Sequence, residues 1–344
     1  MKSKKIIIAL LIMVLVFTNS FLLVADAPAP APALSLKVHF LDVGQADSTL
    51  IQLPNAQTVL IDGGNTADAE FISKYIQSLS IKKIDYVIGT HPHEDHIGGL
   101  AAIIKNFEIG KIYMPKVVHT SATYVDLLTT IKDKKLTIQE PLAGTNIIDD
   151  KDLRLTILAP NSAEYKDLNN YSIVAKLTYK KNSFLFTGDA EKLSEDEILA
   201  KKYDLKADVL KVGHHGSTTS SSPAFIKAVA PKHSIISVGK DNSYNHPDNI
   251  IINRLKMYGE VHRTDLDGTI IIASDGEHLT IGKQASTIKE NAPPAQVQDK
   301  TVYITNTGKM YHADGCSSLS KSKIPIKLSE AKAKGYGPCS KCNP

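Results

Sequence analysis

Between residues 90 and 96 the chain reads Thr-His-Pro-His-Glu-Asp-His, which places His91, His93, Asp95 and His96 within six positions. Imidazole and carboxylate are ligands that Zn²⁺ takes readily and that Mn²⁺ and Fe²⁺ also accept. His91 and His93 stand two apart, so on an extended segment they point to the same side. Asp95 and His96 lie past the next turn and face a second point. The motif can therefore supply ligands to two adjacent cations. Crowding these side chains together without a cation would be costly in repulsion and desolvation.

Three further segments put ligand-type residues at the end of an apolar run. Asp62 follows Leu60-Ile61 and precedes Gly63-Gly64. Asp189 follows Phe184-Leu185-Phe186-Thr187-Gly188. His214 and His215 follow Lys211-Val212-Gly213. Each alone reads as an ordinary turn after a strand. Four such strand ends together are what a metal site at one edge of a layered sheet requires.

The surrounding pattern predicts the elements that would hold these ends in place. Residues 38–43, 49–53, 58–61 and 86–89 read as strands, and 67–79 has helical spacing of Phe71, Ile72, Tyr75, Ile76 and Leu79. Further strands are expected at 153–158, 173–179, 183–186, 209–212, 234–238 and 269–273, with helices at 191–200, 223–229 and 250–258. Mixed strands and helices of this kind predict an α/β sandwich with a mixed sheet. The chain has 344 residues, 42% hydrophobic and 22% charged, which is ordinary globular usage. The formal charge of +4 is modest and falls further once Lys2, Lys4 and Lys5 are set aside. A near-neutral body carries no broad basic signature for nucleic acid. Aromatic residues are 6% and Trp is absent, which argues against a base-stacking platform as the main device.

The motif His91-Pro92-His93-Glu94-Asp95-His96, flanked by Ile61-Asp62-Gly63-Gly64, Phe186-Thr187-Gly188-Asp189-Ala190 and Gly213-His214-His215-Gly216-Ser217, resembles the metallo-β-lactamase fold. Within it, residues 41–64, the turn Tyr244-Asn245-His246-Pro247 and residues 263–270 resemble the extracellular hydrolase domain of DNA-uptake channel proteins of the ComEC/Rec2 type. The resemblance spans about residues 36–281. It implies a four-layered αββα sandwich and a metal-dependent hydrolase holding one or two Zn²⁺, with Mn²⁺ as the alternative. His91 and His93 would bind one ion, Asp95 and His96 the other, and Asp189 both. One of His214 and His215 would complete the second site, with His214, at the strand end, preferred. Asp62 would hold the histidine loop from behind.

Two departures from the family pattern stand out. Ala46 occupies a place where glycine is usual. No histidine lies between His119 and His214, although many members use one there to complete the first ion's shell. Asn169-Asn170-Tyr171-Ser172 stands at about that position, so a weaker, water-completed or Asn-bound first site and a one-ion enzyme stay open.

The resemblance favours phosphodiester hydrolysis, on DNA or a cell-wall polymer, by a water that the bound ions activate. Asp95 and His246 are the expected catalytic residues, with His246 donating to the substrate oxyanion or the leaving group. Ser217, Asn169 and Asn170 are candidates for substrate contact, and Lys211 and Lys240 read mainly as solvated lysines. Competing readings are a teichoic-acid or other wall phosphoester hydrolase, and a metal-holding module that binds DNA or wall without turnover.

The ends of the chain carry separate signals. Residues 1–27 begin Met-Lys-Ser-Lys-Lys and continue into an apolar run, as a secretory signal peptide or an uncleaved signal-anchor does. The body is then expected outside the cytoplasmic membrane, secreted or anchored, touching the membrane only through this segment. Residues 28–35 read as a Pro/Ala spacer, 36–283 as the hydrolase domain and 284–300 as a linker. Residues 301–344 hold all three cysteines, as His312-x3-Cys316 and Cys339-x2-Cys342. This spacing suits one structural Zn²⁺ in a zinc-ribbon-like module, and a single disulfide with a spare thiol is the alternative. The ending resembles the small metal-binding module of the Ada DNA-repair protein, which has a fourth cysteine where this chain has His312.

Overall fold

Strand pairing begins with alternation. In Thr58-Val59-Leu60-Ile61 the side chains of Val59 and Ile61 point to one face and Leu60 to the other, and the same holds for Phe184, Phe186 and Leu185. Both faces are buried, so both sheets must be covered on two sides. The computed structural model describes residues 35–285, 301–327, 331, 336–339 and 341–342. The expected signal segment, nearly all of the spacer and most of the linker lie outside the described residues.

The first sheet is eight-stranded. It contains β1 (Leu36–Phe40), β2 (Thr49–Gln52), β3 (Thr58–Ile61), β4 (Lys83–Ile88), β5 (Glu108–Tyr113), β6 (Ile138–Gln139), β14 (Thr269–Ser274) and β15 (Leu279–Gln284). Their order is β15-β14-β1-β2-β3-β4-β5-β6. The second sheet is seven-stranded. It contains β7 (Asn146–Asp149), β8 (Leu153–Ala159), β9 (Val174–Tyr179), β10 (Asn182–Phe186), β11 (Val209–Lys211), β12 (His233–Ile236) and β13 (Glu260–Arg263), in the order β13-β12-β11-β10-β9-β8-β7. Both sheets are mixed: β3 to β6 run parallel, as do β10 to β13, and the remaining neighbours are antiparallel.

The core has three layers. Phe40, Ile51, Val59, Ile61, Phe184, Phe186, Val209 and Ile235 fill the space between the sheets. Ile72 and Ile76 of helix α1 (Ala69–Ser78), Ile97 of α2 (Glu94–Ile97), Ile103 of α3 (Leu100–Asn106) and Leu127 of α4 (Ala122–Asp133) cover the outer face of the first sheet. Ile198 of α5 (Lys192–Ala200), Phe225 of α6 (Pro223–Val229) and Leu255 of α7 (Asn249–Lys256) cover the second. Each such side chain contributes roughly 1.5–3 kcal/mol by leaving water. The result is the expected αββα sandwich. Its two groups of parallel strands end along one common edge, and every candidate strand end described above opens there.

The tail pairs Thr301–Ile304 with Ile324–Lys327 and Met310–Tyr311 with Gly337–Pro338. Its apolar cluster is Val302, Ile304, Tyr311, Ile326 and Ala331, too small a core to order such a unit without help. Among the described residues, no helix is long and apolar enough to cross a membrane.

Candidate metal centre

β4 runs out at Ile88, and the chain turns at Thr90 into the histidine loop. His93 caps α2, so Asp95 and His96 sit in that helix's first turn. The helix lies close against the loop after β3, where a Cβ on Gly98 would stand 2.3 Å from the Thr66 nitrogen. Glu94 points away from the centre and accepts the Thr66 N–H at 2.8 Å.

Asp62 organises this loop. It is buried, with its backbone at a φ of +60°. Its carboxylate accepts the Thr90 N–H, the Thr90 hydroxyl and His96 Nδ1–H, each at 2.8 Å. The last bond turns His96 Nε2 inward. The Thr90 hydroxyl, having given its proton to Asp62, accepts from His91 Nδ1 at 3.1 Å. That leaves the Nε2 lone pair of His91 facing His93 Nδ1 at 3.0 Å. Orienting ligand imidazoles in this way is the usual task of carboxylates behind a metal site. Burial pushes the Asp62 carboxyl up, and the neighbouring His96 opposes the shift.

Asp189 reaches the same point from β10. Its backbone N–H donates to Ser172 Oγ at 3.1 Å. Its Oδ2 lies 3.2 Å from His96 Nε2, 3.9 Å from His91 Nε2, and 3.8 Å from both His214 Nε2 and His215 Nε2. Ligand atoms of Asp95, His96, Asp189 and His215 all lie within 4.8 Å of one another. His96 Nε2 and Asp189 Oδ1 are buried there with no hydrogen-bond partner. Two such buried atoms side by side are costly as they stand. A divalent cation fits both, so the donor set suits the ion that the histidine pattern implies.

The electrostatics agree. Against the opposing effect of burial, His96 holds the Asp189 carboxyl well below the usual range, helped by His215. Burial lowers both His91 and His93, so both are neutral at physiological pH and free to ligate. His96 and His215 are raised despite burial, because Asp189 and other carboxylates face them.

Between the two histidines, the geometry favours His215 over the preferred His214. His214 and His215 both adopt left-handed backbone, at φ of 49° and 51°. The chain doubles back through them, so the second imidazole returns to the centre. His215 Nε2 lies 3.2 Å from Asp95 Oδ2, and its Nδ1–H donates to the Ser237 carbonyl at 2.9 Å. His214 instead faces Asn169 Nδ2 at 3.5 Å and Thr219 Oγ1 at 2.9 Å. Gly216 follows with φ of +83°, and a Cβ there would stand 2.5 Å from Pro247. This contact places His246 at the rim, with its ring 5.9 Å from that of His214.

The other expected contacts divide. Asn169 is buried, with its Oδ1 unpartnered, and it lies beside His214. Asn170 points instead to α5, where it accepts the Ser194 N–H at 3.2 Å and donates to Glu191 at 3.3 Å. Ser217 is buried and its hydroxyl lies 3.2 Å from Thr219 Oγ1. His119 packs edge-on against Tyr124 at 5.9 Å. Lys211 is not a solvated lysine but a buried one, 2.8 Å from Asp47 Oδ2.

Asp47 lies inside the segment 41–64 that carries the family resemblance, but it does not end an apolar run, so the sequence pattern assigns it no role. Its backbone N–H donates to the Asp95 carbonyl at 3.0 Å, and its Oδ1 lies 3.5 Å from His215 Nδ1. The Asp47–Lys211 pair thus ties the first sheet's β1–β2 turn to β11, behind two of the cage residues. Breaking a buried pair of this kind costs about 3–5 kcal/mol.

In the tail, ligand atoms of His312, Cys316, Cys339 and Cys342 form a second group within 4.8 Å. His312 and Cys339 are buried, and all three cysteines are free thiols. His312 Nδ1 lies 3.3 Å from Cys316 Sγ, and the Ala313 N–H donates to Cys342 Sγ at 3.4 Å. The Ser318 backbone N–H, ahead of the neighbouring Cys342 and His312, brings the Cys316 thiol down to about 6. These features prepare thiolates for a cation.

The geometry at the sandwich edge makes a testable distinction. His215→Ala should lower the metal affinity of the body at least tenfold, whereas His214→Ala should leave it within about threefold, as read by competition against a chromogenic chelator. Equal losses would contradict the assignment of His215 to the cage.

Known proteins resemble this chain at several levels. The signature described as Metallo-beta-lactamase superfamily matches residues 41–240. ComE operon protein 3 of Bacillus subtilis is 32% identical over 252 residues, covering 68% of this chain and 32% of that protein. Recombination protein 2 of Haemophilus influenzae is 32% identical over 258 residues, covering 73% of this chain and 30% of its own length. The chain therefore spans about a third of the length of these relatives. The solved metallo-beta-lactamase fold protein YhfI of Bacillus subtilis aligns at 15% identity and a TM-score of 0.43, covering 66% of this chain and 96% of that one. The chain belongs to the metallo-beta-lactamase superfamily, and its similarity within that superfamily runs to ComEC-type proteins.

Proposed function

We propose that the chain is a metal-dependent phosphodiesterase that cleaves nucleic acid outside the cytoplasmic membrane. The observation that carries this reading is the cage of Asp95, His96, Asp189 and His215, with buried lone pairs left unpartnered at an open sandwich edge. His91 and His93 stand beside it and would serve a second ion. Nitrogen and oxygen donors without sulfur suit Zn²⁺ and Mn²⁺ alike. A divalent ion held there supplies a water made acidic at neutral pH and a positive charge for the substrate oxyanion.

The chain's own residues do the rest. Asp62, Thr90 and Ser172 fix the imidazoles and the Asp189 backbone. The Asp47–Lys211 pair braces the loop that carries Asp95. His246 sits half-buried at the rim; burial, followed by His214 and His215, lowers its pKa. A neutral imidazole there can donate an N–H hydrogen bond to the substrate oxyanion or the leaving oxygen. Asn169 and Ser217 offer an amide and a hydroxyl on the same side.

Similarity to Recombination protein 2 favours nucleic acid as the polymer over a wall phosphoester. The start of residues 1–27 supports export, as a released or anchored protein. The tail's three thiols and one imidazole support one structural Zn²⁺.

Turnover of bis(p-nitrophenyl) phosphate and of single-stranded DNA with Mn²⁺ or Zn²⁺ tests the reading. Wild-type protein should cleave both, Asp189→Asn neither, and His246→Ala should lose about 10²–10⁴-fold in kcat while retaining its metal. No cleavage by wild-type protein, or equal cleavage by Asp189→Asn, would contradict it. Cleavage confined to wall polymer would move the substrate but not the chemistry. For the tail, Cys342→Ser should remove one zinc per chain; unchanged zinc content would reject a metal-held module.

A further inference from the structure

A third group of ligand-type side chains lies away from the centre. It joins His233, at the start of β12, to Glu260 and His262 of the neighbouring edge strand β13. In the parallel register His233 faces Glu260 and Ile235 faces His262. Ile235 is part of the core between the sheets. His233 and His262 therefore occupy core-facing positions, where the strand period calls for apolar residues. The far end of β12 leads to Ser237, which receives the His215 hydrogen bond. The group thus sits at the opposite edge of the sheet, roughly 13 Å away at about 3.3 Å per residue.

His233 Nδ1 lies 3.6 Å from Glu260 Oε2, and His262 Nε2 lies 3.4 Å from the same oxygen. The rings are 5.7 Å apart. Ligand atoms of all three residues fall within 4.8 Å. Both of these ring nitrogens are buried without a hydrogen-bond partner, and the His262 side chain is only 9% exposed. Lys283, the nearby cation on β15, is engaged with Asp267 at 2.8 Å.

We propose that His233, Glu260 and His262 form a second divalent transition-metal site on the body, taking Zn²⁺ through two imidazoles and one carboxylate. Ligands bonded at 2.0–2.2 Å to one tetrahedral ion stand about 3.3–3.6 Å apart; the two His–Glu separations match that spacing, and the two imidazole nitrogens lie within 4.8 Å of each other. The carboxylate is 70% exposed, so the ion enters from solvent and keeps a water as its fourth ligand. Its effect is to cross-link edge strand β13 to β12, its one strand neighbour among the described residues. It takes no part in hydrolysis.

The test uses the full chain. Zinc per chain is measured after equilibration with a small excess of zinc and gel filtration, for wild type, His233→Gln, Glu260→Gln and His262→Gln. Each variant should hold one equivalent less than wild type, should show a smaller zinc-induced rise in Tm, and should keep reporter turnover within about twofold. Equal zinc content in wild type and variants would overturn the proposal and leave a plain His–Glu–His ion cluster. If burial makes His262→Gln fail to fold, the two more accessible positions, His233 and Glu260, report the same stoichiometry. Because the readout is zinc content, it stands whether or not the phosphodiesterase reading holds.

Discussion

The structure turns on a local excess of buried lone pairs. His96 Nε2 and Asp189 Oδ1 have no protein partner, although the groups that carry them are fixed from behind by Asp62 and Ser172. Buried polar atoms are satisfied in the large majority of cases, and two unsatisfied ones on converging ligand-type side chains call for a cation. Each supporting feature can be traced to this demand. Asp62 aims His96, Thr90 relays that orientation to His91, the Ser237 carbonyl aims His215, and the Asp47–Lys211 pair locks the turn beside Asp95.

The αββα sandwich meets the demand because its parallel strands end together. β3 and β4 in one sheet and β10 to β12 in the other all run out at the same edge. Loops from both sheets can then converge without either sheet being distorted. Three of the residues with left-handed backbone, Asp62, His214 and His215, lie in these loops. Such conformations cost of order 1–3 kcal/mol each and persist where surrounding contacts over-determine them. Here the contacts are hydrogen bonds to the same side chains that form the cage.

Much of this is legible in the chain itself. Strands with strict alternation or continuous apolar runs, such as residues 58–61 and 183–186, lie within a residue of where their pattern puts them, and the histidine loop falls where its spacing implies. Among the sandwich strands, those without a sequence signal are β5 and the four at sheet edges, β6, β7, β13 and β15, and helix α4 is likewise unread. Edge strands are short and polar because an apolar edge would invite aggregation, so period-2 patterning is weak there. The choice between His214 and His215 is not legible for a different reason. It depends on two consecutive left-handed residues, which no hydrophobic pattern encodes. Asp47 lies in the resemblance segment 41–64, but its pairing goes unread because its partner, Lys211, is distant in sequence and reads as a surface lysine. Asn170 reads like Asn169 in sequence, yet the 3-10 turn at Leu168–Tyr171 sends it to α5.

The central claim is that Asp95, His96, Asp189 and His215 enclose a cation. Anomalous diffraction from crystals grown with Mn²⁺, collected where Mn²⁺ scatters strongly, tests it directly. The account predicts a peak about 2.0–2.2 Å from His96 Nε2 and from an Asp189 oxygen. An empty cage, with the manganese bound only elsewhere on the chain, would contradict it.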